Sequence, residues 1–170
     1  MKITTSRLFL RPISIDDFEA SHKLLSDPEV MKFSLNGPYN RQKTTEFINN
    51  CIQQTEQNLP TLLAVIDRTT GLLIGYCGFY KQKINGVEEL ELGYRLAKEH
   101  WGKGLATEAA LAMQEFAFNE MGLTRLISLI EKDNIASIRV AQKNGFKLEK
   151  EMLYDKRIEV QIFALERLDK

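Results

Sequence analysis

Seven residues, Trp101-Gly102-Lys103-Gly104-Leu105-Ala106-Thr107, join an extended apolar run to a long amphipathic pattern, and no other stretch constrains the fold as tightly. A strand that passes through glycines into a helix start gathers several backbone N–H groups around one turn that a ligand can approach closely. That is an anion site, suited to a pyrophosphate. Upstream, Glu89-Leu90-Glu91-Leu92 alternates polar and apolar residues as a half-buried strand does, and Gly93 breaks it where a bulge is expected to splay the strand. Downstream, Leu105, Ala109, Ala112, Met113, Phe116 and Ala117 recur at helical spacing, giving a helix with one buried face.

The spacing excludes two common phosphate motifs. A nucleotidase-type loop needs G-x-x-x-x-G-K-[ST], and a dinucleotide fingerprint needs G-x-G-x-x-G early in the chain, with an acidic residue about twenty positions on. Gly102-Lys103-Gly104 meets neither, so hydride transfer is not expected. A third block, from Asn134 to Phe146, reads as a capped helix: Asn134 caps it, Ile135, Ile138 and Ala141 or Gln142 set its face, and Gly145 stops it with Phe146 packed behind.

Together these blocks resemble the GCN5-related N-acetyltransferase (GNAT) superfamily, and within it the RimJ/RimL-type ribosomal-protein N-terminal acetyltransferases. The resemblance rests on Glu91-Leu92-Gly93-Tyr94, on the W-G-K-G-L-A-T-E-A run from Trp101, on the N-x-x-S and K-x-G-F blocks between Asn134 and Phe146, and on the opening Thr5-Ser6-Arg7-Leu8-Phe9-Leu10-Arg11-Pro12. It spans nearly the whole chain.

Length and composition agree. At 170 residues and 44% hydrophobic, the chain suits one core, and a single domain over residues 1–170 is expected. Lys+Arg 23 against Asp+Glu 23 gives no global field for nucleic acid or an anionic membrane. No apolar run is long enough to span a bilayer and the first residues lack a signal-peptide core, so a cytoplasmic protein is expected, as monomer or homodimer. Cys51 and Cys77 show no metal-ligand spacing and read as buried thiols, and no metal is expected. The element order is read as β-α-α-β-β-β-α-β-α-β-β, an α/β fold with a mixed, mostly antiparallel sheet flanked by helices. It runs from a strand at residues 8–11, through a helix capped by Ser14, strands at 62–67 and 72–81 and an Asn85-Gly86 hairpin, to a final pair at 147–152 and 158–168.

The resemblance implies acetyl-CoA as co-substrate. The backbone of Trp101, Gly102, Lys103, Gly104, Leu105, Ala106 and Thr107 would hold the pyrophosphate, and the edge of Gly93, Tyr94, Arg95 and Leu96 would pair with the pantetheine amides as an added strand. Glu91 falls where many members carry a general base, and an N–H near Gly93 or Tyr94 is the expected oxyanion donor. No Cys–His or Ser–His pairing is legible, so direct transfer to a primary amine is expected rather than an acyl-enzyme. In register, the tyrosine that often protonates the leaving thiolate falls on Ala141. Ser137, one turn earlier, is the expected replacement, with Tyr94 and Tyr154 as further phenols, and Asn134 is both cap and candidate cofactor contact. The acceptor side falls to the loops around residues 33–39 and 154–158. Glu88, Glu89 and Glu91 read as an acidic strip that would draw a cationic amine: most simply a protein N-terminal α-amine, alternatively a polyamine or aminoglycoside, while Ala141 leaves a CoA-binding module without catalysis as a third reading. His22 and His100 read as surface or capping residues, with no partner nearby in the sequence.

Overall fold

The computed structural model describes residues 1–168. Eight strands build one sheet: β1 (Ile3–Thr4), β2 (Leu8–Pro12), β3 (Leu62–Asp67), β4 (Leu73–Ile84), β5 (Val87–Leu96), β6 (Arg125–Ile130), β7 (Lys147–Tyr154) and β8 (Ile158–Glu166). Four helices flank it: α1 (Phe18–Leu25), α2 (Arg41–Glu56), α3 (Leu105–Asn119) and α4 (Ile135–Lys143). The strand order is β1-β2-β3-β4-β5-β6-β8-β7, antiparallel except where β5 meets β6. The expected order therefore holds, with the two-residue β1 added ahead of it.

Period-two patterning sorts the strand residues between two cores. Leu8, Leu10, Leu63, Val65, Cys77, Phe79, Leu92 and Leu96 pack toward α3 and α4, whereas Leu62, Ala64, Ile66 and Tyr76 pack toward α1 and α2. The Asn85-Gly86 turn takes left-handed φ values of 50° and 82°, which suit a two-residue hairpin between β4 and β5. Ser14 caps a 3₁₀ turn that leads into α1 rather than α1 itself. The opening motif pins that turn: Arg11 clamps Asp17 with two 2.8 Å bonds, and Asp17 accepts the Ser14 N–H at 2.8 Å.

Several sequence expectations change. The β4–β5 register runs unbroken from Ile84↔Val87 to Gly75↔Leu96, so Gly93 is no bulge. It is glycine for another reason, because a Cβ there would lie 2.8 Å from the Tyr80 ring. On α4 the inward face is Ile138 and Ala141; Ile135 and Gln142 are exposed. On α3, Ala110 is buried where Ala112 was expected. His22 has a partner, its Nδ1 lying 2.8 Å from the Thr44 hydroxyl across the α1–α2 contact. Both cysteines are buried, as expected. Among the described residues, no helix is long and apolar enough to cross a membrane.

Candidate active site

The site arises where two parallel strands part. β5 and β6 register only at Glu91↔Ile127. The Ser128 hydroxyl donates to the Leu92 carbonyl at 2.6 Å, and beyond this point residues 93–96 pair with β4 alone. The Leu96 carbonyl also faces the open side, where it accepts the Trp101 indole N–H at 2.8 Å. Backbone groups alternate along a strand, so Tyr94, between these two, presents its N–H and C=O to the open edge, while those of Gly93 and Arg95 turn to β4. The splay expected at Gly93 is thus real, but it comes from divergence of β6. Trp101 is no core residue: it is half exposed and fastens the turn to the strand.

At the turn, Gly102 and Gly104 take φ values of 72° and 75°. The first bond of α3 runs from the Glu108 N–H to the Gly104 carbonyl at 3.1 Å, so the N–H groups of Leu105, Ala106 and Thr107 lie ahead of it at the positive end of the helix. The opening motif braces this turn. Arg7 donates to the Lys103 carbonyl at 2.8 Å and to Glu108 at 2.7 Å, and the Thr5 hydroxyl donates to Glu108 at 2.7 Å. Asn144, buried at the end of α4, reaches the Thr107 carbonyl at 3.3 Å. The open edge, the free N–H groups and the glycine backbone together fit an extended chain of amides ending in a pyrophosphate. If this turn holds an anionic ligand, removing the brace by Arg7→Ala should weaken binding of that ligand about tenfold, with turnover changed less than about twofold, because Glu108 is left unneutralised beside the turn. Initial rates against acetyl-CoA concentration check this.

A cavity of about 400 Å³ passes through the gap between β5 and β6, lined on one side by Asn134, Ser137, Ala141 and Asn144 and on the other by Tyr39, Tyr76, Tyr80, Glu91 and Arg95. Glu91 lines it on β5. Gln82 donates to it at 2.7 Å, Tyr154 donates to Gln82 at 3.2 Å, and the Leu129 N–H approaches at 3.4 Å. Loss of hydration outweighs these donors and pushes the Glu91 carboxyl up to about 7. Across the gap the Tyr94 hydroxyl donates to Ser137 Oγ at 3.1 Å, and burial pushes the phenol up to about 12. Asn134 accepts the Ser137 N–H at 3.3 Å and so holds the start of α4 at the cavity wall.

The structure thus gathers Glu91, Tyr94, Asn134 and Ser137 around one cavity and keeps Lys103 exposed at the turn. The acidic strip is dismantled: Glu89 is held by Arg125 at 3.0 Å, together with Glu149 and Glu166, and Glu88 faces the opposite side of β5 from Glu91. Sequence reading assigned no role to Gln82, Asn144, Arg7 or Glu108. The opening motif was the available signal for Arg7; Gln82 carried none, since its meaning comes from cross-strand pairing.

Comparison with known proteins agrees. A family model described as an acetyltransferase (GNAT) domain matches residues 7–147. The uncharacterized protein YkkB of Bacillus subtilis is 36% identical over 151 residues, covering 88% of this chain and 87% of that protein. The spermidine N(1)-acetyltransferase of Escherichia coli K12 is 26% identical, over 86% of this chain and 76% of that protein. Among solved structures, the ribosomal L7/L12 α-N-protein acetyltransferase RimL in complex with coenzyme A superposes with a TM-score of 0.84 at 20% identity, covering 98% of both chains.

Proposed function

The chain belongs to the GNAT acetyltransferase family, and for this acyltransferase with an acetyl-CoA donor we propose that the acceptor is the α-amine of a peptide or protein N-terminus. The observation that carries this is the Glu91 carboxyl near 7, fixed by Gln82 and facing the cavity. An α-ammonium near pKa ~8 lies about one unit above such a base, whereas a lysine-type amine near ~10.4 lies over three units above it, at roughly 1.4 kcal/mol per unit. Charge points the same way. The carboxylates lining the cavity are Glu91 and Glu131, and Arg95 places a cation among them, which disfavours a polycationic amine.

Acetyl-CoA supplies the activated thioester; the residues supply the proton traffic. Glu91 takes the proton from the α-ammonium, directly or through water. The Tyr94 N–H, free at the open edge, donates to the oxygen on which charge develops. The freed amine attacks the thioester carbonyl carbon, the C–S bond breaks, and the second proton lost by the nitrogen goes to the leaving sulfur; Ser137 donates a hydrogen bond to that sulfur, and Tyr94, protonated at every working pH, donates to Ser137 from behind. Neither cysteine lines the cavity, and burial raises both thiols, Cys51 to about 11, so transfer without an acyl-cysteine fits the site. Ser137→Ala should lower kcat about tenfold with little change in KM for acetyl-CoA, as loss of one hydrogen bond to a charged group implies; steady-state rates test it.

The function is tested by offering acetyl-CoA and an equimolar mixture of four amines: a peptide with a free N-terminus and no lysine, its N-terminally blocked counterpart with one lysine, spermidine and an aminoglycoside. The free N-terminus should carry most of the acetyl groups by mass spectrometry. Preferential acetylation of spermidine or the aminoglycoside would replace this reading, and CoA binding without any product would remove catalysis altogether.

A further inference from the structure

Arg95 is the one cation lining the acceptor side of the cavity, and it has no carboxylate partner among the described residues. It is partly buried on the strand face it shares with Glu91. Its Nη1 donates to the Val30 carbonyl at 3.1 Å, and the guanidinium also meets the Tyr76 phenol, with the Tyr80 phenol nearby. The other buried or half-buried arginines of this chain are matched differently: Arg11 pairs with Asp17, and Arg125 with Glu89, Glu149 and Glu166. Taking a guanidinium out of water without an anion is costly, and folded proteins ordinarily avoid it. Glu91 is within Coulombic reach but makes no salt bridge with it; a cation without a direct carboxylate contact, among aromatic rings in the cavity wall, is a recognition group whose contact partner arrives with the ligand.

We infer that Arg95 is a specificity-determining residue that pairs with a carboxylate near the N-terminus of the acceptor, so that acidic N-terminal sequences are the preferred substrates. The inference rests on the α-amine reading above. The spacing fits it. Glu91 and Arg95 are four residues apart on one strand, roughly 13 Å between Cα atoms. An extended acceptor advances about 3.3 Å per residue; Glu91 feels the Arg95 charge across the cavity, so the two charged heads stand closer than their Cα atoms, and with the α-amine at Glu91 an acidic residue at position two or three comes to Arg95. Gly93 lies between them and carries no side chain, so the Tyr80 ring packs directly onto the strand there and forms the floor between the two charges.

The test is kinetic and uses the full chain with acetyl-CoA. Peptides share one N-terminal residue and differ only in Glu, Gln or Lys at position two or three. The wild-type protein should give kcat/KM in the order Glu, Gln, Lys, with about tenfold or more between the ends, mostly in KM. Arg95→Gln should flatten the order to within about twofold, Arg95→Lys should retain part of it, and Arg95→Glu should reverse it. Equal turnover of all peptides by the wild-type protein, or the same order in Arg95→Gln, would overturn the assignment while leaving the α-amine reading in place. If no peptide is acetylated while spermidine is, the α-amine reading itself fails. The wild-type series decides the question even if a variant at Arg95 does not fold.

Discussion

Glu91→Gln should lower kcat/KM for the acceptor by about 10²–10⁴, with the KM for acetyl-CoA unchanged within about twofold. The substitution keeps the shape of the side chain and an oxygen to accept the 2.7 Å bond from Gln82, but it removes the group able to receive a proton. The proposed donor site is the glycine turn, the open edge of β5 beyond Leu92 and the start of α4, and the Glu91 carboxyl makes no hydrogen bond to any of these. A parallel effect on stability separates a functional carboxylate from a structural one. Glu91 titrates near 7 in the fold against an ordinary value of 4.5, so folding favours its protonated form. The stability it contributes is fully present below about 4.5 and is lost as pH rises through 7. Glu91→Gln should therefore be more stable than the parent at pH 8 and equal to it near pH 4, as denaturant midpoints would show. A carboxylate kept for structure would give the opposite sign at pH 8.

The second large effect is expected at Gly75. Its place opposite Leu96 in the β4–β5 ladder brings the strand closing the donor site against it. A Cβ at Gly75 would overlap the Arg95 carbonyl oxygen and lie 2.9 Å from Leu96 Cα. These are backbone atoms, so no side-chain rotation relieves the contact. Gly75→Ala should cost about 3 kcal/mol or more, at the upper end of overpacking, and should displace the edge that carries Tyr94 and Leu96. A lowered denaturant midpoint together with weaker CoA binding is the expected pair of results. Gly78, where a Cβ would overlap the Thr61 carbonyl, serves as a comparison away from the site: Gly78→Ala should lose stability with much less change in CoA binding by the protein that remains folded.

The legible parts of this protein were those written in local pattern. The Asn85-Gly86 hairpin, the glycines before α3 and the Asn134 cap each depend on a few adjacent residues whose conformational preferences leave little choice. Glu91, Ser137 and Tyr94 were legible as candidates because motif blocks carry them at fixed spacing. What the chain concealed was pairing at a distance. Gln82 meets Glu91 only because the β4–β5 ladder places Tyr80 opposite Glu91 and brings Gln82 to its flank, and Tyr154 joins them from the far end of the sheet. The reading of Gly93 as a bulge failed because a glycine demanded by a neighbouring ring looks the same in sequence as one demanded by backbone geometry. The acidic strip failed similarly, since nothing near Glu89 announces Arg125, 36 residues on.

The central claim is that Glu91 is the base that frees the acceptor amine. The pH dependence of kcat/KM tests it most directly, measured from about pH 5 to 9 on a peptide whose one titratable group is its α-amine, for the wild-type protein and Glu91→Gln. The wild-type profile should rise with a midpoint near 7 as the Glu91 carboxyl ionises and then fall near ~8 as the free substrate loses its proton, whereas Glu91→Gln, with no base to take the ammonium proton, should rise only near ~8 as the amine frees itself. A rising limb with the same midpoint in both proteins would assign the base to another group and contradict the account.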